Sequence, residues 1–159
     1  MSLIKSVTPL ILFILLSLPS VEISKPEVLV FGNSMDEIRR NLESQCDSII
    51  IRSNEPIQLP TAKKEQSQLD CYGFEYAGKK RKAELIFADD QLDIVWILTE
   101  AEEEKFFLDG FKELYGEPTH KVADATFFLD AGTAVRNKPH EVLFISERLK
   151  QPYKQFLEQ

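Results

Sequence analysis

Glycine and histidine are scarce in this sequence, and their scarcity excludes several classes of site. Only six glycines and two histidines occur among 159 residues. Phosphate-binding glycine loops, dinucleotide fingerprints, Gly-x-Ser-x-Gly elbows and Ser-x-x-Lys motifs are absent. His120 and His140 each lack a second ligand at metal-binding spacing. We therefore predict a non-enzymatic protein with no catalytic residues, no metal and no cofactor.

Basic residues are outnumbered, which argues against nucleic acid as a partner. The chain has 19 Lys and Arg against 26 Asp and Glu, a formal charge of −7. Phosphate backbones require a basic surface. The same balance makes an anionic membrane surface an unfavourable partner.

Long apolar runs are missing except at the amino terminus. The uncharged run of residues 6–21 follows Lys5 and is 16 residues long, whereas a spanning helix needs about 20 apolar residues. This pattern predicts a signal peptide of residues 1–20, cleaved after Ser20. Leu18 is unusual at the −3 position, so an uncleaved anchor stays open. We expect a periplasmic or secreted protein whose residues 21–159 form a single domain with no membrane span.

Cysteine occurs only twice, at Cys46 and Cys71. An even pair in an exported protein predicts one disulfide, with a reactive thiol as the alternative. The loop closed would have about 25 residues, for which the chain-entropy treatment gives roughly 3–4 kcal/mol.

Two capping boxes predict two helices. Ser34-Met-Asp-Glu37 opens a short amphipathic helix over residues 35–44, and Thr99-Glu-Ala-Glu102 opens a second that ends before Gly116. The acidic run of residues 102–104 fits a solvated first turn of the second helix.

The segments between and after the helices alternate like strands. Residues 49–51, 72–76, 83–88, 92–98, 125–129, 133–136 and 141–146 have this character. The tail from Leu149 is amphipathic but interrupted by Pro152. Helices followed by runs of strands predict an α+β fold, with antiparallel meanders packed by two short helices. The order helix, meander, helix, meander suggests a duplication.

The segment Phe87-Ala-Asp-Asp-Gln-Leu92, together with the first capping box and the cysteine pair, resembles small exported domains of the β-lactamase inhibitor protein and BamE-like type. The resemblance covers roughly residues 32–98. It implies a helix-and-meander fold and a role in protein–protein contact, and it assigns no functional residue.

Two groups of residues are candidates for a binding surface. Lys79, Lys80, Arg81 and Lys82 form the one basic cluster and are predicted at a hairpin turn, with the Lys63-Lys64 loop as a second basic site. Such a cluster also fits a solvated turn that deters edge pairing.

Aromatic residues form the second group. Tyr72, Phe74, Tyr76 and Trp96 fit either a recognition surface or a core beneath the second helix. The Asp89-Asp90 pair is interpreted as turn chemistry rather than catalysis.

The leading hypothesis is an exported accessory protein that binds another protein. The alternative is a carrier of a small molecule or lipid, with an apolar pocket between helix 99–115 and the sheet. A hydrolase would require His120 or His140 to meet a carboxylate across the fold.

Overall fold

The fold is built on one antiparallel sheet, in a computed structural model that describes residues 21–159. Its strands are β1 (Ser48–Ser53), β2 (Gln66–Tyr76), β3 (Lys79–Ala88), β4 (Gln91–Leu98), β5 (His120–Val122), β6 (Ala125–Phe128), β7 (Thr133–Asn137) and β8 (His140–Ile145). The helices of this part are α1 (Met35–Leu42), α2 (Glu104–Tyr115) and α3 (Glu147–Leu157). The predicted α+β class is confirmed. The predicted signal peptide, residues 1–20, lies outside the described residues.

The two halves of the described chain repeat one order of elements. α1 precedes the meander β1–β4, and α2 precedes the meander β5–β8. The sheet order is β1-β2-β3-β4-β8-β7-β6-β5, so the last strand of each meander lies at the centre. This order agrees with the suggested duplication. The prediction missed β5, whose three residues include a single apolar side chain.

α1 and α2 pack on the same face of the sheet, called here the covered face. Ile38 and Leu42 of α1 and Phe107 and Phe111 of α2 are fully buried. They join one apolar cluster with the inward residues of the central strands, among them Leu69, Leu85, Val95, Ile97, Val142 and Phe144. Removal of this apolar surface from water is the main driving force for the layered arrangement.

The cap of α1 matches the prediction, although the helix is shorter than residues 35–44. The Ser34 hydroxyl accepts from the Glu37 amide, and the Glu37 carboxylate accepts from the Ser34 amide at 2.9 Å. These bonds satisfy amide groups that have no partner within the helix.

The cap of α2 lies one residue later than predicted. Thr99 stays extended because its amide donates to the His140 carbonyl at 2.9 Å. Glu100 is the cap residue instead, and the Glu103 carboxylate accepts from its amide at 3.0 Å. A 3₁₀ turn over residues 101–103 leads into α2, which ends at Gly116 as predicted.

α3 lies on the opposite face and continues through Pro152, contrary to the predicted interruption. Proline removes one intrahelical hydrogen bond. Leu149, Tyr153 and Leu157 are spaced four residues apart and pack onto the sheet, which holds the helix in place.

Asp93 joins α3 and the long loop of residues 54–65 to β4. Its buried carboxylate accepts from Thr61 Oγ1 and Ser146 Oγ, each at 2.6 Å. Arg148 donates to it through two nitrogens at 2.7 and 2.8 Å. The loop and α3 therefore cover one end of the sheet's second face and leave the other end uncovered.

The predicted disulfide is confirmed. Cys46 and Cys71 are bonded, with their Cα atoms 5.4 Å apart. The bond ties the turn after α1 to the middle of β2, and Cys71 is fully buried in the core.

Candidate binding surface

The uncovered end of the second sheet face carries polar and aromatic side chains from six strands. Directly paired residues share a face, and the register aligns Ile50, Asp70, Glu84 and Trp96 in one row. The neighbouring rows of paired residues supply the other members of this face. The open face comprises Ile50, Arg52, Asp70, Tyr72, Lys82, Glu84, Trp96, Arg136 and Glu141.

Asp70 is the centre of the charges on the β1 side. Its side chain is fully buried, and Arg52 and Lys82 approach Oδ2 at 2.9 and 3.3 Å. Gln68 donates to Oδ1 at 2.7 Å. Lys82 also binds Glu84 at 2.5 Å, and its ammonium lies 5.3 Å from the centroid of the Tyr72 ring. A buried carboxylate needs such partners because desolvation of a single charge is costly.

Trp96 is the centre of the β8 side. The guanidinium carbon of Arg136 lies 4.8 Å from the centroid of the Trp96 ring, a cation–π contact. Arg136 Nε lies 3.1 Å from Glu141 Oε1. Burial raises the pKa of Glu141 to about 7, although the Arg136 charge opposes the rise. Three cationic and three acidic side chains thus balance on the open face, while the whole chain is acidic.

The basic cluster does not lie at a turn, which corrects the prediction. Ala77 and Gly78 form the turn, and Lys79 to Lys82 belong to β3. Alternation along the strand therefore divides the cluster between the two faces.

Each member of the cluster has an acidic partner. Lys79 binds Glu100 at 2.7 Å, and Arg81 binds Glu103 at 2.7 Å on the helix side. Lys80 lies on the same side of β3 as Lys82 and binds Asp47 at 2.7 Å, and Lys82 joins the open face. The expected exposed basic patch is replaced by four ion pairs.

Tyr76 is part of the core, in contrast to Tyr72 and Trp96. Its hydroxyl donates to the Ile23 carbonyl, and its ring stacks on Phe107 with centroids 5.9 Å apart. Burial raises the pKa of Tyr76. The core alternative for the aromatic group is therefore correct for Tyr76 and Phe74. Tyr72 and Trp96 lie on the other sheet face, where Tyr72 is exposed and Trp96 is partly buried.

The bulge at Gly73 separates Tyr72 from Tyr76. The pairing register shifts between Tyr72 and Phe74, so residues two apart do not share a face there. Gly73 has a φ of +79°, and a Cβ atom at this position would lie 2.2 Å from Asp47 Oδ2. Glycine is therefore required at this position.

The Asp89-Asp90 pair serves the turn and its neighbours. The Asp89 carboxylate accepts from the amides of Lys63, Lys64 and Glu65 at 2.7–3.1 Å, and these bonds lower its pKa. Asp90 accepts from the Met35 amide at 2.9 Å. The lysine loop is therefore held by its backbone, in agreement with the turn interpretation.

The interface between α2 and the sheet is filled by aromatic rings. Phe111 lies about 6 Å, centroid to centroid, from Phe107, Phe128 and Phe144. These residues are between 0 and 3% exposed. The predicted carrier pocket gains no support from this packing.

Both histidines lie near a carboxylate, but neither pair has hydrogen-bond geometry. His120 is 3.9 Å from Glu158, and His140 is 4.0 Å from Glu104. A general base works at about 2.6–3.2 Å from its partner. Within residues 21–159 no cluster of three potential metal ligands is found, and no helix is long and apolar enough to cross a membrane.

Residues 27–154 match the profile of a family described as "Uncharacterised protein". The chain belongs to this family. No curated protein and no solved structure matches it. The comparisons therefore give no support to the resemblance to the β-lactamase inhibitor protein and BamE-like domains.

Apart from Lys82, the charged residues of the open face were not among the residues selected from the sequence. Asp70 lies between Leu69 and Cys71, and Glu84 lies between Ala83 and Leu85. A charged residue between two apolar residues of a predicted strand was the available signal.

Proposed function

We propose that the protein is an exported, non-enzymatic accessory protein that binds another protein through the open face. The observation that carries the proposal is the placement of the exposed Tyr72 ring and the partly exposed Trp96 ring on one sheet face, among paired charges. Interface hot spots are enriched in aromatic residues and arginine. This mode of action is also the one that the resemblance to inhibitor-type exported domains implies.

The charge pattern defines the partner's chemistry. Because the open face is electrically balanced, its partner should present apolar or aromatic groups with alternating charges rather than one strong charge. Arg136 and Glu141 form an ion pair, so contact would bury the two charges together and would not leave one of them isolated. Binding should consequently depend weakly on salt.

The test combines site-specific photocross-linking with truncation of one aromatic residue. A photoreactive amino acid replaces Tyr72, and the tagged protein is exposed to the exported fraction of its native cells. We expect one recurrent protein adduct that disappears when Trp96→Ala is added, since the aromatic anchor is lost.

The matched control uses an aromatic residue elsewhere on the surface. Phe156 on α3 is 73% exposed and lies outside the open face. A probe at Phe156 should give no such adduct, and Phe156→Ala should leave the Tyr72 adduct intact. Equal labelling from both positions, or an adduct that Trp96→Ala does not reduce, would contradict the proposal.

A further inference from the structure

The outer edge of β1 is open to another strand in the described part of the chain. β1 is the first strand of the sheet and pairs only with β2. The Asn54 amide donates to the Gln66 carbonyl at 2.8 Å, so the backbone of Asn54 faces β2. Backbone groups alternate in direction along an antiparallel strand. The residues whose backbone groups face outward are therefore Ile49, Ile51 and Ser53.

The side chains of this edge are apolar and exposed. Ile50 and Ile51 are 50 and 48% exposed, one on each face of the sheet. Neither lysine nor proline lies within β1 to block pairing. Natural edge strands usually carry such a block or are very short, as β5 is at the other end of the sheet.

The charges at the two ends of β1 complement each other in an antiparallel pair. The segment Asp47-Ser-Ile-Ile-Ile-Arg52 begins with an acid and ends with a base. Glu43 lies beside the same groove as Asp47, where it pairs with Arg39 at 3.1 Å. An antiparallel copy of this segment would bring its basic end to the acidic end of the first.

We propose that β1 pairs with β1 of a second copy of the chain, about a two-fold axis at Ile50. In this register Ile50 lies opposite Ile50 of the partner, Ile49 opposite Ile51, and Ser48 opposite Arg52. The pairing keeps each side chain on its own sheet face and uses the outward backbone groups of Ile49 and Ile51. A two-fold contact of this kind is closed, because it consumes the edge of both copies.

The contact also gathers the exposed isoleucines. On the covered face, Ile51 of one copy lies opposite Ile49 of the other. They meet beside a groove of about 400 Å³ between α1 and β1, which is lined in part by Arg39, Glu43 and Ile51. On the second face, Ile50 and Arg52 belong to the open face, so pairing would join two open faces into one surface. The dimer does not depend on the function proposed for that surface.

The expected dimer is weak. A standard interface buries about 800 Å² per partner, and one strand edge with its flanking side chains is smaller. Both copies are acidic, although salt screens their repulsion beyond roughly 10 Å. We therefore expect dissociation in the micromolar range.

Sedimentation velocity across concentrations tests the dimer. The wild type should shift from monomer to dimer, and Ile50→Lys should weaken association about tenfold or more because it places like charges opposite each other. Val122→Lys on β5 makes the same charge change at the other edge and should associate like the wild type. Monomer at every concentration, or a dimer that Ile50→Lys leaves intact, would overturn the proposal.

Cysteine cross-linking tests the register. Residues opposite each other in a non-hydrogen-bonded pair have Cα atoms about 4.5 Å apart, within disulfide range. Mild oxidation should therefore cross-link Ile50→Cys rapidly between copies. Ser48→Cys lies on the same face but about four residues from its own mate, so it should not cross-link. Equal cross-linking of both variants would indicate random collision and refute this pairing.

Discussion

The covered and open faces of the sheet use charged residues in opposite ways. On the covered face, charge is confined to the margin, where the Arg81–Glu103 pair lies against the Phe107 ring. On the open face, the carboxylates of Asp70 and Glu141 are buried beside cationic partners, Arg52 and Lys82 for Asp70 and Arg136 for Glu141. Buried ion pairs contribute little net stability compared with apolar packing. The difference suggests that the covered face holds the fold together, whereas the open face is organised for contact.

The largest expected effect comes from removal of an aromatic ring from the covered face. Phe107→Ala should lower the free energy of unfolding by about 3–4 kcal/mol, because its fully buried ring contacts Tyr76 and Phe111. Trp96→Ala on the open face should cost only about 1–2 kcal/mol, since its ring is partly in solvent. Urea unfolding of both variants measures the difference. Equal losses in the free energy of unfolding would contradict the distinction between the two faces.

The basic residues of β3 provide a second comparison. Arg81→Ser should cost about 2 kcal/mol, because it leaves the Glu103 carboxylate without its closest partner. Lys80→Ser should change stability by less than about 0.5 kcal/mol, because its pair with Asp47 is exposed on both sides.

The stability cost of Arg81→Ser should also depend on pH. Hydrogen bonding from Arg81 lowers the pKa of Glu103 to about 2, from its ordinary 4.5. The stabilisation is therefore present above pH 4.5 and is lost as the pH falls toward 2. Thermal unfolding of the wild type and Arg81→Ser should converge in that window. A constant difference down to pH 2 would contradict this assignment.

A change in the opposite direction is expected for Glu141 on the open face. Because its pKa is raised to about 7, the folded state binds more protons than the unfolded state between pH 4.5 and 7. Its contribution to stability therefore falls as the pH rises through this range. Glu141→Gln should be about 1–2 kcal/mol more stable than the wild type at pH 8 and equal to it near pH 4.5.

Chemical unfolding at several pH values measures the Glu141 effect. Glu75→Gln replaces an exposed carboxyl and serves as the control, for which no such divergence is expected. An unchanged difference between Glu141→Gln and the wild type across this range would mean that Arg136 compensates fully for burial.

Local sequence signals predicted much of the fold because they act over a few residues. The Ser34 capping box, the helix end at Gly116 and the chain reversal at Asp89-Asp90 each form between residues that are close together in the chain. Alternation predicted most strands, and an even cysteine count predicted the Cys46–Cys71 bond.

Prediction of the site succeeded only in part. Tyr72, Lys82 and Trp96 were selected and lie together, but Arg136 and Glu141 were missed. Their pairing requires the register of β7 with β8 and the position of β8 beside β4. Such contacts link residues far apart in sequence, so no local pattern reveals them.

The amino-acid sequence by itself determined the α+β class, the disulfide partners and the turns, because capping, alternation and cysteine count are local properties. Tertiary structure alone decided which face each charge occupies. The bulge at Gly73 reverses the alternation after Tyr72, and Glu100 and Glu103 lie where they neutralise half of the basic cluster. The meeting of the two meanders at β4 and β8 then places Arg136 over Trp96, because sheet pairing joins residues that the chain separates.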